Sequence, residues 1–159
     1  MMKNRIITIS REFGSGGRSI GRLTAERLNI PFYDQSLIQN IAEQSGFTED
    51  FVREKVEYAP HSNWLANAFS DRPIQGMSTQ DYLWSIQTKV ILDLAEQGPC
   101  VIVGRCADYI LKDTADCLKV FIHASMDKRA ERIVRIYGET DEPPLKRLKD
   151  KDKRRAAYY

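Results

Sequence analysis

The hydrophobic pattern alternates between short apolar blocks and runs of helical period. Residues 5–10, with Ile6, Ile7 and Ile9, are apolar and β-branched, as a buried central strand requires. After Gly17 the spacing predicts an amphipathic helix with Ile20, Leu23 and Leu28 inward and Arg22, Glu26 and Arg27 outward, ended by Asn29. Ile30-Pro31-Phe32-Tyr33 reads as a short second strand with Asp34 at its end. Residues 35–45 and 48–58 predict two short helices, the second capped by Thr48. Residues 59–77 hold Pro60, Pro73 and Gly76 with little periodicity, which predicts a long functional loop.

Ser78-Thr79-Gln80-Asp81 opens a long helix in the manner of a capping box, with Leu83, Ile86, Val90 and Leu94 along one face. Gly98-Pro99 stops it. Cys100 to Val103 suits a strand buried on both faces, and Leu118 to Ile122 another. Ser125 then caps a helix to about Tyr137 that is expected to bury Ala130, Ile133 and Val134. Pro143-Pro144 begin a basic last segment. Strands alternating with helices predict an α/β fold, a parallel sheet flanked by helices in three layers. Four strands are readable, and a sheet of this kind leads to the expectation of one more.

Composition narrows the class. A chain of 159 residues makes one domain with one core. Its 42% hydrophobic and 29% charged residues are those of a soluble globular protein. A net charge of +2 argues against a nucleic-acid coat, and no apolar run suits a membrane span or signal peptide. Cys100, Cys106 and Cys117 lack metal-site spacing and cannot all pair, as expected of reduced thiols in a cytoplasmic protein. His61 and His123 are too few for a zinc site or a histidine triad and are expected to be structural or solvent-facing.

The chemistry concentrates after the first strand, in Glu12-Phe13-Gly14-Ser15-Gly16-Gly17-Arg18-Ser19. A glycine loop between a buried strand and a helix presents backbone N–H groups, and the helix dipole adds positive potential. Against the phosphate-loop pattern G-x-x-x-x-G-K-[ST], Gly17 and Ser19 match. Arg18 stands where the lysine belongs, and Glu12 stands at the first glycine, bringing a carboxylate close to where phosphate would lie. A dinucleotide fingerprint competes, because Gly14-Ser15-Gly16 is followed, twenty residues beyond Gly14, by Asp34. The third glycine is missing, and helices rather than a further βα unit follow Asp34. A plain turn is the third alternative.

Two more segments bear on the choice. "VIVGRCADYIL" brings Gly104 and Arg105 to the carboxyl edge of the sheet, where Arg105 offers a bidentate phosphate ligand. Residues 146–155, "KRLKDKDKRR", place seven basic against two acidic residues, which suits either a solvated helix face or a phosphate-closing lid.

Together, "IITISREFGSGGRSIGRLTAERLNIPFYD", "VIVGRCADYIL", "VFIHASMDKRAERI" and "DKRRAAYY" resemble the cytidylate kinase-like family of P-loop nucleoside monophosphate kinases across essentially the whole chain. The resemblance implies a P-loop core (1–34 and 98–137), a helical acceptor-binding region (35–97) and a basic lid (138–159). It implies ATP and Mg²⁺ on Gly14, Ser15, Gly16, Gly17, Arg18 and Ser19, with Ser19 the metal ligand and Arg18 in the lysine's place. Asp34, Arg105 and Arg132 would bind the acceptor, Asp34 being equally readable as a helix N-cap. Arg18, Arg105, Arg154 and Arg155 would act in catalysis, with Lys153 a further lid cation and Arg129 and Arg132 facing the phosphates. Cytidylate kinases carry aspartate-glycine-arginine-aspartate where this chain has Val103-Gly104-Arg105-Cys106, and a final strand and adenine-side loop after the lid. Three readings remain open at this point: an ATP-dependent kinase acting on a small acceptor, a nucleotide-binding protein without turnover, and a dinucleotide-dependent oxidoreductase.

Overall fold

A computed structural model describes residues 2–57, 78–113 and 115–158 of the protein. Residues 58–77 lie outside the described residues, and with them the long loop predicted over 59–77 and His61. In chain order the elements are β1 (Met2–Arg11), α1 (Gly17–Leu28), β2 (Phe32–Tyr33), α2 (Gln35–Ser45), α3 (Glu49–Glu57), α4 (Thr79–Gln97), β3 (Cys100–Val103), α5 (Ala107–Ile110), β4 (Ala115–Ile122), α6 (Met126–Tyr137) and α7 (Pro144–Tyr158). Four strands among the described residues form one parallel sheet in the order β2-β3-β1-β4. Ile6 of β1 pairs with Cys100 of β3 on one side and Cys117 of β4 on the other.

Strand alternation divides the core into two layers. Ile6 and Ile102 face one way and pack with Leu37 and Ile41 of α2, Leu83 and Ile91 of α4, and Leu111. Ile9, Val101 and Val103 face the other way, against Ala25 of α1. The sheet therefore lies between helical layers, as the sequence predicts. At α4, the Ser78 hydroxyl accepts from the Asp81 N–H at 3.1 Å, and Leu83, Val90 and Leu94 are buried. Thr48 accepts from the Phe51 N–H at 3.3 Å and caps α3.

Helix α1 is turned relative to the sequence expectation. Ile20, Leu23 and Leu28 are exposed, whereas Gly17, Gly21 and Ala25 are buried. These small residues at intervals of four let the helix axis come close to the sheet: a Cβ at Gly21 would lie 3.0 Å from Val103 Cγ2 and 3.1 Å from Ile9 Cδ1. Close approach wins over side-chain hydrophobicity on this helix. Helix α6 differs too. Ser125 occupies its N-cap without a side-chain cap bond, Ala130 and Val134 are half-buried, and the fully buried pair is Ile133 with the charged Arg129.

Candidate phosphate-transfer site at the carboxyl edge of the sheet

The loop after β1 turns sharply because three of its groups bond back to the scaffold. The Glu12 N–H donates to Ile122 O at 3.0 Å, continuing the β1–β4 ladder by one residue. The Ser15 N–H donates to Glu12 O at 3.3 Å, and the Ser15 hydroxyl lies 2.9 Å from that oxygen and 3.0 Å from Ile122 O. The Phe13 N–H donates to Asp152 Oδ1 of α7 at 2.7 Å. Among the described residues, the N–H groups of Gly14, Gly16 and Gly17 meet no protein acceptor. They open at the N-terminus of α1, where the helix dipole favours an anion. Ser15, expected among the phosphate ligands, is instead spent inside the turn and does not line the cavity in front of the loop.

Arg11, which the motif comparison passes over, lies against two glycines. Its aliphatic stem runs against Gly17, where an added Cβ would fall 2.7 Å from Arg11 Cβ. Its guanidinium lies directly over Gly104, whose left-handed backbone (φ +73°) is what favours glycine there. The last residue of β1 thus threads between the loop and the end of β3, toward Arg105. Arg105 also has a left-handed backbone, φ 60°, and its carbonyl accepts from the buried Gln87 Nε2 of α4 at 3.1 Å.

Glu12 does not confront a phosphate alone. Its Oε2 lies 3.4 Å from Arg129 Nε and accepts the Ala124 N–H at 3.3 Å. Arg129, expected to face the phosphates, is buried beneath the loop. Its Nη1 donates to Phe13 O at 3.2 Å and to Asp152 Oδ2 at 2.5 Å. Buried between two carboxylates, this arginine joins loop, α6 and α7.

Arg18 turns away from the loop to form an ion pair with Asp34 at the end of β2. Asp34 stands at the N-cap of α2, yet its carboxylate makes no cap bond. The N-cap position is as the sequence allowed, but the buried carboxylate pairs with Arg18 instead of capping the helix. Arg132 occupies the space over the loop, its guanidinium carbon 3.4 Å from a Cβ placed on Gly16 and its Nη2 donating to Ser19 Oγ at 2.9 Å. The hydroxyl expected to hold a metal thus already accepts from a cation.

On α7 the sequence points to Lys153, Arg154 and Arg155. Of these, only Arg155 lines the cavity in front of the loop; its Nη1 approaches Arg11 O at 3.5 Å and its guanidinium lies 5.6 Å from the Phe13 ring centre. Lys153 is exposed, and Arg154 lines neither cavity described here. The α7 cations that do reach the cavity are Arg147, Lys151 and Arg155. They recur every fourth residue, a helical face that the charge run itself contains.

These side chains enclose a cavity of about 520 Å³ whose lining includes eight basic residues against two acidic ones, Glu12 and Asp34. Besides the loop, α7 and Arg105, it holds Gln35, Ile38 and Arg53 on its α2–α3 side. A second cavity of about 510 Å³ shares Arg11, Glu12, Arg105 and Arg155 with the first and extends to Val120 and Phe121 of β4. Cys106 lines the second cavity, and burial pushes its thiol, like that of Cys100, up to about 11. His123 is exposed and stacks on Phe121.

The residues fit a nucleotide polyphosphate. Open loop amides, a helix N-terminus and a cationic lining are the donor set that phosphate oxygens need. For Mg²⁺ the protein supplies less: no cluster of three His, Cys, Asp or Glu side chains exists among the described residues, and Ser19 Oγ, the ligand the resemblance implies, accepts from Arg132. A magnesium held chiefly by phosphate oxygens and water needs few protein ligands. No helix among the described residues is long and apolar enough to cross a membrane.

The parallel sheet and the strand–glycine–helix loop, with the family match, define a P-loop kinase, a transferase of phosphoryl groups. Residues 6–159 match the cytidylate kinase-like family, and the chain belongs to it. Among solved structures it is similar to an uncharacterized protein from Eubacterium ventriosum, at 28% identity and TM-score 0.67 over 97% of this chain and 74% of that one. It shares its fold with a shikimate kinase from Acinetobacter baumannii solved with shikimate (19% identity, TM-score 0.53, 98% and 78% of the two chains). A gluconokinase from Sinorhizobium meliloti shares it as well (19%, TM-score 0.51, 95% and 76%). No curated protein matches the chain.

Proposed function

We propose that the protein transfers the γ-phosphoryl group of ATP to a small anionic acceptor, a nucleoside monophosphate. The observation that supports this reading is one cavity lined together by the loop glycines, by Arg147, Lys151 and Arg155 of α7, and by Gln35, Ile38 and Arg53 on its α2–α3 side. ATP, with its magnesium, supplies the transferable group when bound. The amides of Gly14, Gly16 and Gly17 hold phosphate oxygens, and Arg132 and Arg155 balance the negative charge that spreads over the equatorial oxygens during transfer. On the lateral side, Arg53 and Arg105 bind the acceptor's phosphate, which receives the phosphoryl, and Asp34 positions the acceptor through a hydrogen-bond donor elsewhere on it. Residues 35–97 serve as the acceptor region and residues 138–159 as the lid in this proposal.

The test is turnover of ATP with a panel of nucleoside monophosphates, with shikimate and gluconate as competing acceptor classes. ADP release that depends on one monophosphate supports the proposal; dependence on a hydroxy acid instead replaces the acceptor class. The pairing of Arg18 with Asp34 favours a second reading, nucleotide binding without turnover, which an ATP-binding but inactive protein would establish. Support for a dinucleotide site falls away, because α2 follows Asp34 directly and the Asp34 carboxylate holds an arginine.

Arg105 offers a separate prediction. It is almost wholly buried at the end of β3, held by Gln87, and so meets the acceptor in the ground state. Arg105→Ala should raise the acceptor's KM about tenfold, the worth of one charge-assisted hydrogen bond, and leave the KM for ATP near the parent value. Equal losses on both substrates in initial-rate kinetics would place Arg105 elsewhere in the cycle.

A further inference from the structure

The Arg18–Asp34 pair joins a residue of the phosphate loop to a residue of the acceptor pocket, sixteen positions apart in sequence and facing one cavity. The two partners are unequal. The Asp34 side chain is 8% exposed, and among the described residues Arg18 is its one partner, whereas the Arg18 side chain is 52% exposed. A carboxylate so buried must keep a donor, because an unpaired buried charge is strongly unfavourable. The half-exposed guanidinium, by contrast, can leave by turning about its own side-chain torsions. It springs from the first turn of α1, next to the open amides of Gly16 and Gly17, so polyphosphate bound there competes with Asp34 for it.

We propose that Arg18 and Asp34 form an interlock between the nucleotide and acceptor sites, which restricts the acceptor to molecules bearing a hydroxyl or amino donor. This inference rests on the reading of the cavity as a two-substrate kinase site. Without acceptor, Asp34 holds Arg18 and opposes nucleotide binding. An acceptor that donates a hydrogen bond to Asp34 replaces Arg18 and releases it toward the phosphates. The two substrates therefore bind with positive coupling, and linkage makes the effect equal in both directions. The acceptor is anionic at the end that meets Arg53 and Arg105 and a hydrogen-bond donor at the end that meets Asp34. The same geometry gives the substitution of lysine by arginine a purpose, since the planar fork both pairs with a carboxylate and reaches a phosphate.

The experiment is calorimetric titration of the β,γ-imido analogue of ATP, with magnesium, into the parent protein, Asp34→Asn, Arg18→Ala and the double variant. Asp34→Asn should bind the analogue about tenfold more tightly than the parent, because the competitor is removed. Arg18→Ala should bind more weakly, and adding Asp34→Asn to it should restore nothing. Unchanged or weaker binding by folded Asp34→Asn overturns the interlock while leaving the kinase reading standing. Absence of analogue binding in every variant, parent included, overturns the nucleotide reading and the interlock with it. If Asp34→Asn does not fold, the parent protein suffices. The side-chain Nε–H resonance of Arg18, assigned by its loss in Arg18→Lys, should move when the analogue is added, and a fixed resonance at saturation overturns the proposal.

Discussion

Arg155→Ala is expected to bind ATP within a few-fold of the parent and to transfer its phosphoryl group about 10²-fold or more slowly. The side chain reaches back from α7 to the end of β1, with Nη1 3.5 Å from Arg11 O, and lines both cavities at the sheet edge. A guanidinium there sits beside the loop without being one of its amides. Its effect should therefore appear as charge develops on the transferring oxygens rather than in ground-state binding. Arg154 supplies the comparison within the same helix. One residue is about 100° of helical rotation, and Arg154 lines neither cavity, so Arg154→Ala should change the rate by less than about threefold. Initial rates at saturating ATP and acceptor decide the matter. Equal kcat for the two variants would mean that α7 is a solvated basic helix and that the lid function lies elsewhere.

Arg129→Leu should lower the stability of the whole protein by about 3 kcal/mol, read as a fall in Tm of about 10 °C for a chain of this size. The guanidinium is 5% exposed and bridges Glu12 and Asp152. Removing it leaves both carboxylates without their buried cation and frees the Phe13 carbonyl that Nη1 holds. The loss stands at the low end for breaking a buried pair, because the Glu12 and Asp152 side chains keep 30% and 27% of their surface in water. Thermal unfolding of parent and variant, followed by circular dichroism, measures it. A fall of less than about 2 °C would show the two pairs behaving as surface ion pairs.

What could be read from the chain divides along the range of the interactions. The parallel sheet, the loop between β1 and α1, and the delivery of Arg105 by β3 follow from periodicities inside windows of about ten residues, and those windows are legible. The inverted face of α1 was not, because Gly17, Gly21 and Ala25 report how near the sheet lies, and hydrophobicity does not register nearness. Arg129, expected from the sequence to face the phosphates, is instead buried between partners 117 and 23 residues away, Glu12 and Asp152, which only the folded chain brings to it. Arg11 escaped for the same reason: its function is visible only in its contacts with Gly17 and Gly104. The lid face was legible in principle. Arg147, Lys151 and Arg155 share a helical stripe, whereas grouping Lys153, Arg154 and Arg155 follows adjacency in the sequence rather than on the helix. Asp34, readable from the sequence as a ribose-binding acid, an acceptor ligand or a helix N-cap, pairs with Arg18 of the element before it, a partner none of those readings supplied.

The bond from the Phe13 N–H to Asp152 crosses 139 residues. During synthesis, at about 5–20 residues per second, the glycine loop leaves the ribosome roughly 7–28 s before the carboxylate that fastens it. Through that interval the loop carries its full complement of glycines and lacks its anchor, while β1 can already pair with β3. The first-made element of the site thus gains its last anchor only when α7 has folded back onto the beginning of the chain.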